Sequence, residues 1–160
     1  MSESDKIAAE LEQQEKALLF DAFGNDTALE IGMMLVNRAK ADGLSITVDV
    51  TKGGQQLFHH ALEGTSQDND FWVRRKNATV CRFGQSSYRF ALRWRSIDDT
   101  LRRSFGISEA DYCMCGGAFP VTVRGVGIVG TVTVSGLTEE DDHALVVWVI
   151  REYLAGQKSV

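Results

Sequence analysis

The stretch that decides the fold is GGAFPVTVRGVGIVGTVTVSG, residues 116–136, followed by Leu137-Thr138-Glu139-Glu140-Asp141-Asp142. It holds the chain's one proline, Pro120, and six of its 15 glycines, with valine, isoleucine and threonine between them. β-Branched residues favour extended backbone, and glycine serves where a chain must turn or pass close to another, so this stretch predicts two strands. Val121-Thr122-Val123 alternates apolar and polar, Arg124-Gly125 supplies a turn, and Val126–Val134 is long enough for the returning strand. After Gly136 the period changes. Thr138, with Asp141 three residues on, makes a capping-box-like start, and Ala144, Leu145, Val147, Trp148, Ile150 and Leu154 form a broad helical stripe. The expectation is a hairpin that hands the chain to a buried C-terminal helix.

A second hairpin lies upstream. Ile46, Val48 and Val50 fall on one face of Leu44–Thr51, and Thr47, Asp49 and Thr51 on the other. Lys52-Gly53-Gly54-Gln55 turns the chain, and Gln56–Leu62 returns with His59 and His60 on opposite faces. Ser4–Leu19 predicts a first helix whose apolar stripe is narrow, which suits loose packing or a subunit contact. Leu19–Phe23 reads as a short strand, and Thr27 with Glu30 as the box that opens a second helix, closed by Gly43. Glu63–Asp70 is a polar loop ending in a cap at Asp68 or Asn69. Residues 69–105 are helical, broken near Gly84-Gln85-Ser86 and Ser96, with Ser86 or Ser87 capping the piece between; Ile107–Cys115 is loop or a short strand. These elements predict one α/β (α+β) domain over residues 1–160: a three-layer helix-sheet-helix sandwich around a mostly antiparallel sheet of about five strands. Hairpin, helices, hairpin, helix is not the order of a doubly wound nucleotide fold.

The runs GGAFPV and GIVGTVTVSG, with Asp142 seven positions beyond Ser135, resemble the end of the HbpS/GlcG-like haem-degrading domain family. FDAFGNDTAL, LFHHALEGTS, DNDFWVRRKNATV and RFGQSSY resemble that family's small stand-alone branch, so the likeness covers most of residues 18–155. One departure stands out: better-studied members read Gly-Gly-x-Pro, whereas Ala118 and Phe119 both separate Gly117 from Pro120 here. The resemblance implies a homo-oligomer, dimer or higher, in which haem is an optional ligand rather than a required cofactor. It also implies peroxide- or oxygen-dependent haem breakdown as the enzymatic version.

A chain of 160 residues with 44% hydrophobic content is long enough to bury a core without disulfides or metal. No apolar run reaches about 18 residues and Met1–Glu15 is polar and acidic, so neither a membrane span nor a leader is expected. Three cysteines, an odd number, suit a reducing cytoplasm. The net charge of -5 is unevenly spread: Trp72–Arg103 holds nine basic and two acidic residues, and the remainder eight basic and 20 acidic. A cationic block of +7 therefore interrupts an acidic chain. Net charge and the lack of a binding motif speak against nucleic acid.

Arg74-Arg75-Lys76 is the most informative cluster, since three cations on one helical turn repel unless they are solvated or face anions. Guanidinium forks match carboxylates and phosphates, so haem propionates or a small organic acid would satisfy them. With His59 and the Gly116, Gly117, Phe119 and Pro120 loop they make the expected ligand site. His59 or His60 is the candidate haem ligand, and no other metal site is expected, because side chains on opposite faces cannot clamp one ion. His143 reads as a surface residue in the first turn of the last helix. Cys113-Met114-Cys115 lacks the spacing of zinc or redox motifs and reads as small buried thiols. No Ser-His-Asp order or phosphate loop appears. Three functions therefore stay open: a cytoplasmic oligomeric domain binding an anionic small molecule such as haem, a non-catalytic assembly or adaptor protein, and a haem-degrading enzyme.

Overall fold

The computed structural model describes residues 1–158. In chain order the elements are α1 (Glu3–Ala17), β1 (Leu19–Phe20), α2 (Asn25–Asp42), β2 (Thr47–Lys52), β3 (Gln55–Ala61), α3 (Gln67–Phe83), α4 (Ser87–Trp94), α5 (Asp99–Ser104), β4 (Ala118–Val123), β5 (Gly127–Ser135) and α6 (Glu139–Lys158). The five strands form one sheet in the order β1-β4-β5-β2-β3, antiparallel except for the short parallel pair of β1 with β4. The expected mixed α/β architecture and mostly antiparallel sheet are present.

The two sheet faces are chemically different, and alternation is the reason. Val48, Val50, Val121, Val132 and Val134 join Phe119, Ile31, Leu35, Val146 and Ile150 in an apolar core under α2 and α6. Gly32 lets α2 close on the sheet: a methyl group there would lie 2.3 Å from the Phe58 ring. The opposite face carries Thr47, Asp49, Thr131, Thr133 and Ser135, all buried. There Asn77 of α3 donates to Asp49 at 2.9 Å and accepts from Thr131 and Thr133. One amide thus meets the hydrogen-bonding needs of three strand side chains, which makes the second face tolerable as an interior.

Caps explain most boundaries. Thr138 accepts from Asp141 N at 3.2 Å and starts α6, as its sequence suggests. Ser86 caps α4 by accepting from Arg89 N, and Gly43 and Gly84 end α2 and α3 at positive φ. Two expected starts move outward by a few residues. Thr27 sits inside α2 and accepts from Gly24 N, while α3 begins after Ser66, with Asn69 accepting from Ser66 N. Pro120 is tolerated inside β4 because the β1 pairing covers only Thr122 and Val123. Helix α1 buries Leu11 and is tied down at its end, where Glu15 accepts from Ser86 N at 2.8 Å and pairs with Arg89.

Candidate functional site

The cationic turn of α3 is split three ways by helix geometry. Arg74 is exposed and donates to Ala110 O at 2.9 Å. Lys76 points into the protein, 1% exposed, where its ammonium donates to Asp142 at 2.9 Å and to Val134 O at 2.9 Å. Burial pushes the Asp142 carboxyl upward, opposed by the Lys76 ammonium and by the backbone N–H groups of Leu137 and Gly136. Gly117 makes room for this pair. A Cβ at Gly117, whose φ is +132°, would stand 2.5 Å from both Lys76 Nζ and Val134 O. At Gly116 it would stand 2.4 Å from Glu139 O. Protein atoms, rather than open space, occupy the sides of both glycines where a side chain would go.

Arg75 is the exception. It is 8% exposed, yet among the described residues no carboxylate pairs with it. Its guanidinium lies 4.4 Å from the centre of the Trp72 ring and 5.0 Å from that of Phe71, and its Nε donates to Tyr112 O at a long 3.4 Å. It opens onto a recess of about 480 Å³ bounded by Trp72, Arg95, Ile107, Tyr112, Met114, Cys115 and Glu139. Arg95, by contrast, is committed: it donates to Glu139 at 2.7 Å, and Glu139 also accepts from Gly116 N at 3.2 Å. Burial pushes the Cys115 thiol up, and Cys113 behind it up to about 11, so both are protonated thiols rather than thiolates near neutral pH.

The other expected site residues lie apart from this recess. Phe119 is in the apolar core, and Pro120 lines a shallow groove with Leu19, Thr122 and Ile128. His59 is bracketed by two carboxylates, Nδ1 3.0 Å from Asp49 and Nε2 3.0 Å from Asp70, which leaves neither nitrogen free for a metal in this arrangement. His60 is exposed on the other face of β3. His143 departs from expectation: it is 4% exposed, between Tyr88 and Phe119, with Nε2 2.9 Å from Gln14. Asp142 and His143 lie on the inward side of α6, His143 against Gln14 of α1, whereas Glu140 and Asp141 are exposed, and the run of four acids before His143 conceals that division. Of the expected set, the structure brings Arg75 to the Gly116 loop and sends Lys76 and Gly117 to a buried ion pair. Arg95, Tyr112 and Glu139 belong to no sequence motif, and the one local signal that could have found the recess is the i, i+3 spacing of Trp72 and Arg75 on α3.

Sheet, helical layers and recess define a three-layer α/β domain with a cavity, lined by two arginines and two glutamates, beside the start of its last helix. Residues 23–151 match the family described as haem degrading protein HbpS-like, and the chain belongs to that family. It is 44% identical over 146 residues to a UPF0303 protein of Streptomyces coelicolor, covering 91% of this chain and 92% of that one. A UPF0303 protein of Edwardsiella ictaluri is 42% identical over 151 residues, covering 94% and 96%. Among solved structures, the Ybr137w protein superposes with a TM-score of 0.84 at 28% identity, covering 94% of this chain and 88% of that one. A PduOC:haem complex superposes at 0.66 with 14% identity over 81% and 94%, a likeness of fold.

Proposed function

We propose that this protein is a cytoplasmic, oligomeric ligand-binding domain that takes an anionic small molecule in the Arg75 recess, with haem the first ligand to test. The observation that carries this reading is a guanidinium buried against a cavity without an anion of its own, an arrangement that is costly unless something supplies the missing charge. Membership of the HbpS-like family and the likeness to a haem-bound PduOC support haem as the candidate. The residues present fit one of that group's two propionates: Arg75 would hold that carboxylate, Trp72, Ile107 and Tyr112 would cover apolar ring surface, and the other propionate would have to stay outside the recess in water. Haem, when bound, supplies the redox chemistry of its iron. Arg75 anchors and orients, while Ile107 and Met114 help to exclude water from the recess.

Haemin titrated into purified protein is expected to give a shifted Soret band, weakened roughly tenfold by Arg75→Met, the loss of one charge-assisted hydrogen-bonded pair. His59→Ala weakens the band only if His59 leaves Asp70 to reach iron. A free-haemin spectrum at micromolar protein eliminates the haem version. Binding indifferent to Arg75 eliminates the recess. Self-association has an observation of its own: β3 is an edge strand without proline or lysine, beside the exposed Leu29 and Met33 of α2. Light scattering tests it, and a monomer at all concentrations removes the oligomer.

A further inference from the structure

The charge count inside the recess is more specific than "anion". We infer that the recess recognises a single carboxylate carried on a planar apolar ring, an aryl monocarboxylate, an inference that rests on Arg75 being the ligand anchor. Two cations and two carboxylates border the cavity, but they are not equivalent. Arg95 and Glu139 already neutralise each other at 2.7 Å. Glu109 is an exposed residue at the edge. That leaves Arg75 as one uncompensated positive charge, enough for one carboxylate. A second carboxylate on the ligand would have to part Arg95 from Glu139 or lie against an acid.

The rest of the lining specifies what the carboxylate is attached to. Trp72 and Tyr112 offer aromatic surface, and Ile107 and Met114 apolar surface, while the thiol of Cys115 is held protonated by burial and so adds no charge. The Arg75 guanidinium covers one face of the Trp72 ring, so a ligand ring would use the Trp72 surface that Arg75 leaves uncovered, with the carboxylate directed to the guanidinium beside it. A volume of about 480 Å³ lies within the roughly 300–1,000 Å³ of small-molecule sites. A neutral ring would leave Arg75 unpaired, and a carboxylate without a ring would leave the apolar lining wet. Selectivity should therefore need both parts.

The test uses 2-naphthoate as probe, with 2-naphthalenemethanol as its neutral counterpart, 2,6-naphthalenedicarboxylate as the dianion, and haemin, all titrated calorimetrically into the full chain. Naphthoate is expected to bind roughly tenfold tighter than either naphthalene analogue, and to lose that margin in Arg75→Met. The wild type supplies a second readout that needs no variant. Naphthoate should slow iodoacetamide alkylation of Cys115, resolved by peptide mass spectrometry, and leave the exposed Cys81 unchanged. Equal affinity for naphthoate and its alcohol, tighter binding of the dicarboxylate, or unprotected Cys115 overturns the inference. If haemin binds through Arg75 and naphthoate does not, the anion site stands and the aryl monocarboxylate class falls. If neither depends on Arg75, both fall.

Discussion

Replacing Lys76 with methionine removes the ammonium from a pair whose two side chains are each 2% exposed, and leaves Asp142 in the same enclosure. Breaking a buried pair from one side costs about 3–5 kcal/mol, against a typical domain stability of about 5–15 kcal/mol. Lys76→Met should therefore lose roughly a fifth or more of its stability at pH 7. The pH dependence carries a signature. Burial already pushes the Asp142 carboxyl above its ordinary 3.8, and Lys76 is the main influence opposing that rise. Without Lys76 it rises further. A carboxyl raised in the folded state contributes stability that is complete below its unfolded value and lost as pH climbs through the folded one. The deficit of Lys76→Met should accordingly shrink from pH 7 towards pH 4. Lys76→Met/Asp142→Asn removes both charges, keeps an acceptor for Leu137 N–H, and should recover most of the loss. Urea unfolding followed by circular dichroism at several pH values measures this as a midpoint shift at constant slope. A Lys76→Met loss under about 1 kcal/mol at pH 7, or a double variant that simply adds the two single losses, would refute the argument.

His143 gives the opposite pH trend: burial, helped by Arg151, lowers it from 6.5 to about 4, so stability present above pH 6.5 is lost as pH falls through that window. The full loss is about 3 kcal/mol, and a melting series in which His143→Phe parallels the wild type from pH 6.5 to 4 would contradict it. Gly117→Ala combines a φ of +132° with contacts of 2.5 Å to Lys76 and Val134, and should cost more than about 3 kcal/mol. Gly125→Ala, with φ +76° and no neighbour within 4 Å, should cost only about 1–2 kcal/mol, and denaturation midpoints compare the two. Glu15→Ala removes the acceptor of Ser86 N and a partner of Arg89, so amide exchange in α1 and at Ser86 should accelerate while the β2 and β5 amides stay protected.

Hairpins and caps were readable because their causes are local. Gly53-Gly54 with positive φ, Thr138 before four acids, and Gly84 ahead of Ser86 each act within a few residues of where they stand. The apolar face of β2 was equally readable from Ile46, Val48 and Val50. The fate of Thr47, Asp49 and Thr51 was not, because alternation reports which side a residue faces but not what covers that side. Nothing short-range connects Asn77 to Thr133, 56 positions away, or Lys76 to Asp142, 66 positions away. For the same reason Gly116 and Gly117 suggested an open backbone, when the space beside them is taken by Glu139 and Lys76. Composition marks where a side chain is missing; only packing shows what fills the gap.

The cationic block carries this lesson furthest. As a sum it suggests a basic surface, but the fold distributes its members among separate jobs. Lys76 neutralises a buried acid, Arg89 ties α1 to α4, Arg95 meets Glu139, Arg102 pairs with Asp99, and Arg82 donates to the carbonyls of Phe105 and Gly106. Lys76, Arg89 and Arg95 thus join α3, α4 and the residue after α4 to the acidic helices α6 and α1, while Arg102 pairs within α5 and Arg82 ties α3 to the turn that follows α5. Among the described residues of the block, the buried cations are Lys76 and Arg75, and only Lys76 has a carboxylate. A ligand site therefore need not be where charge is densest. Among the described residues water can answer the exposed Arg93 and Arg103, whereas Arg75 is the buried cation of the block without a carboxylate, and it lies over Trp72 at the wall of a recess, which is why the proposed ligand site rests there.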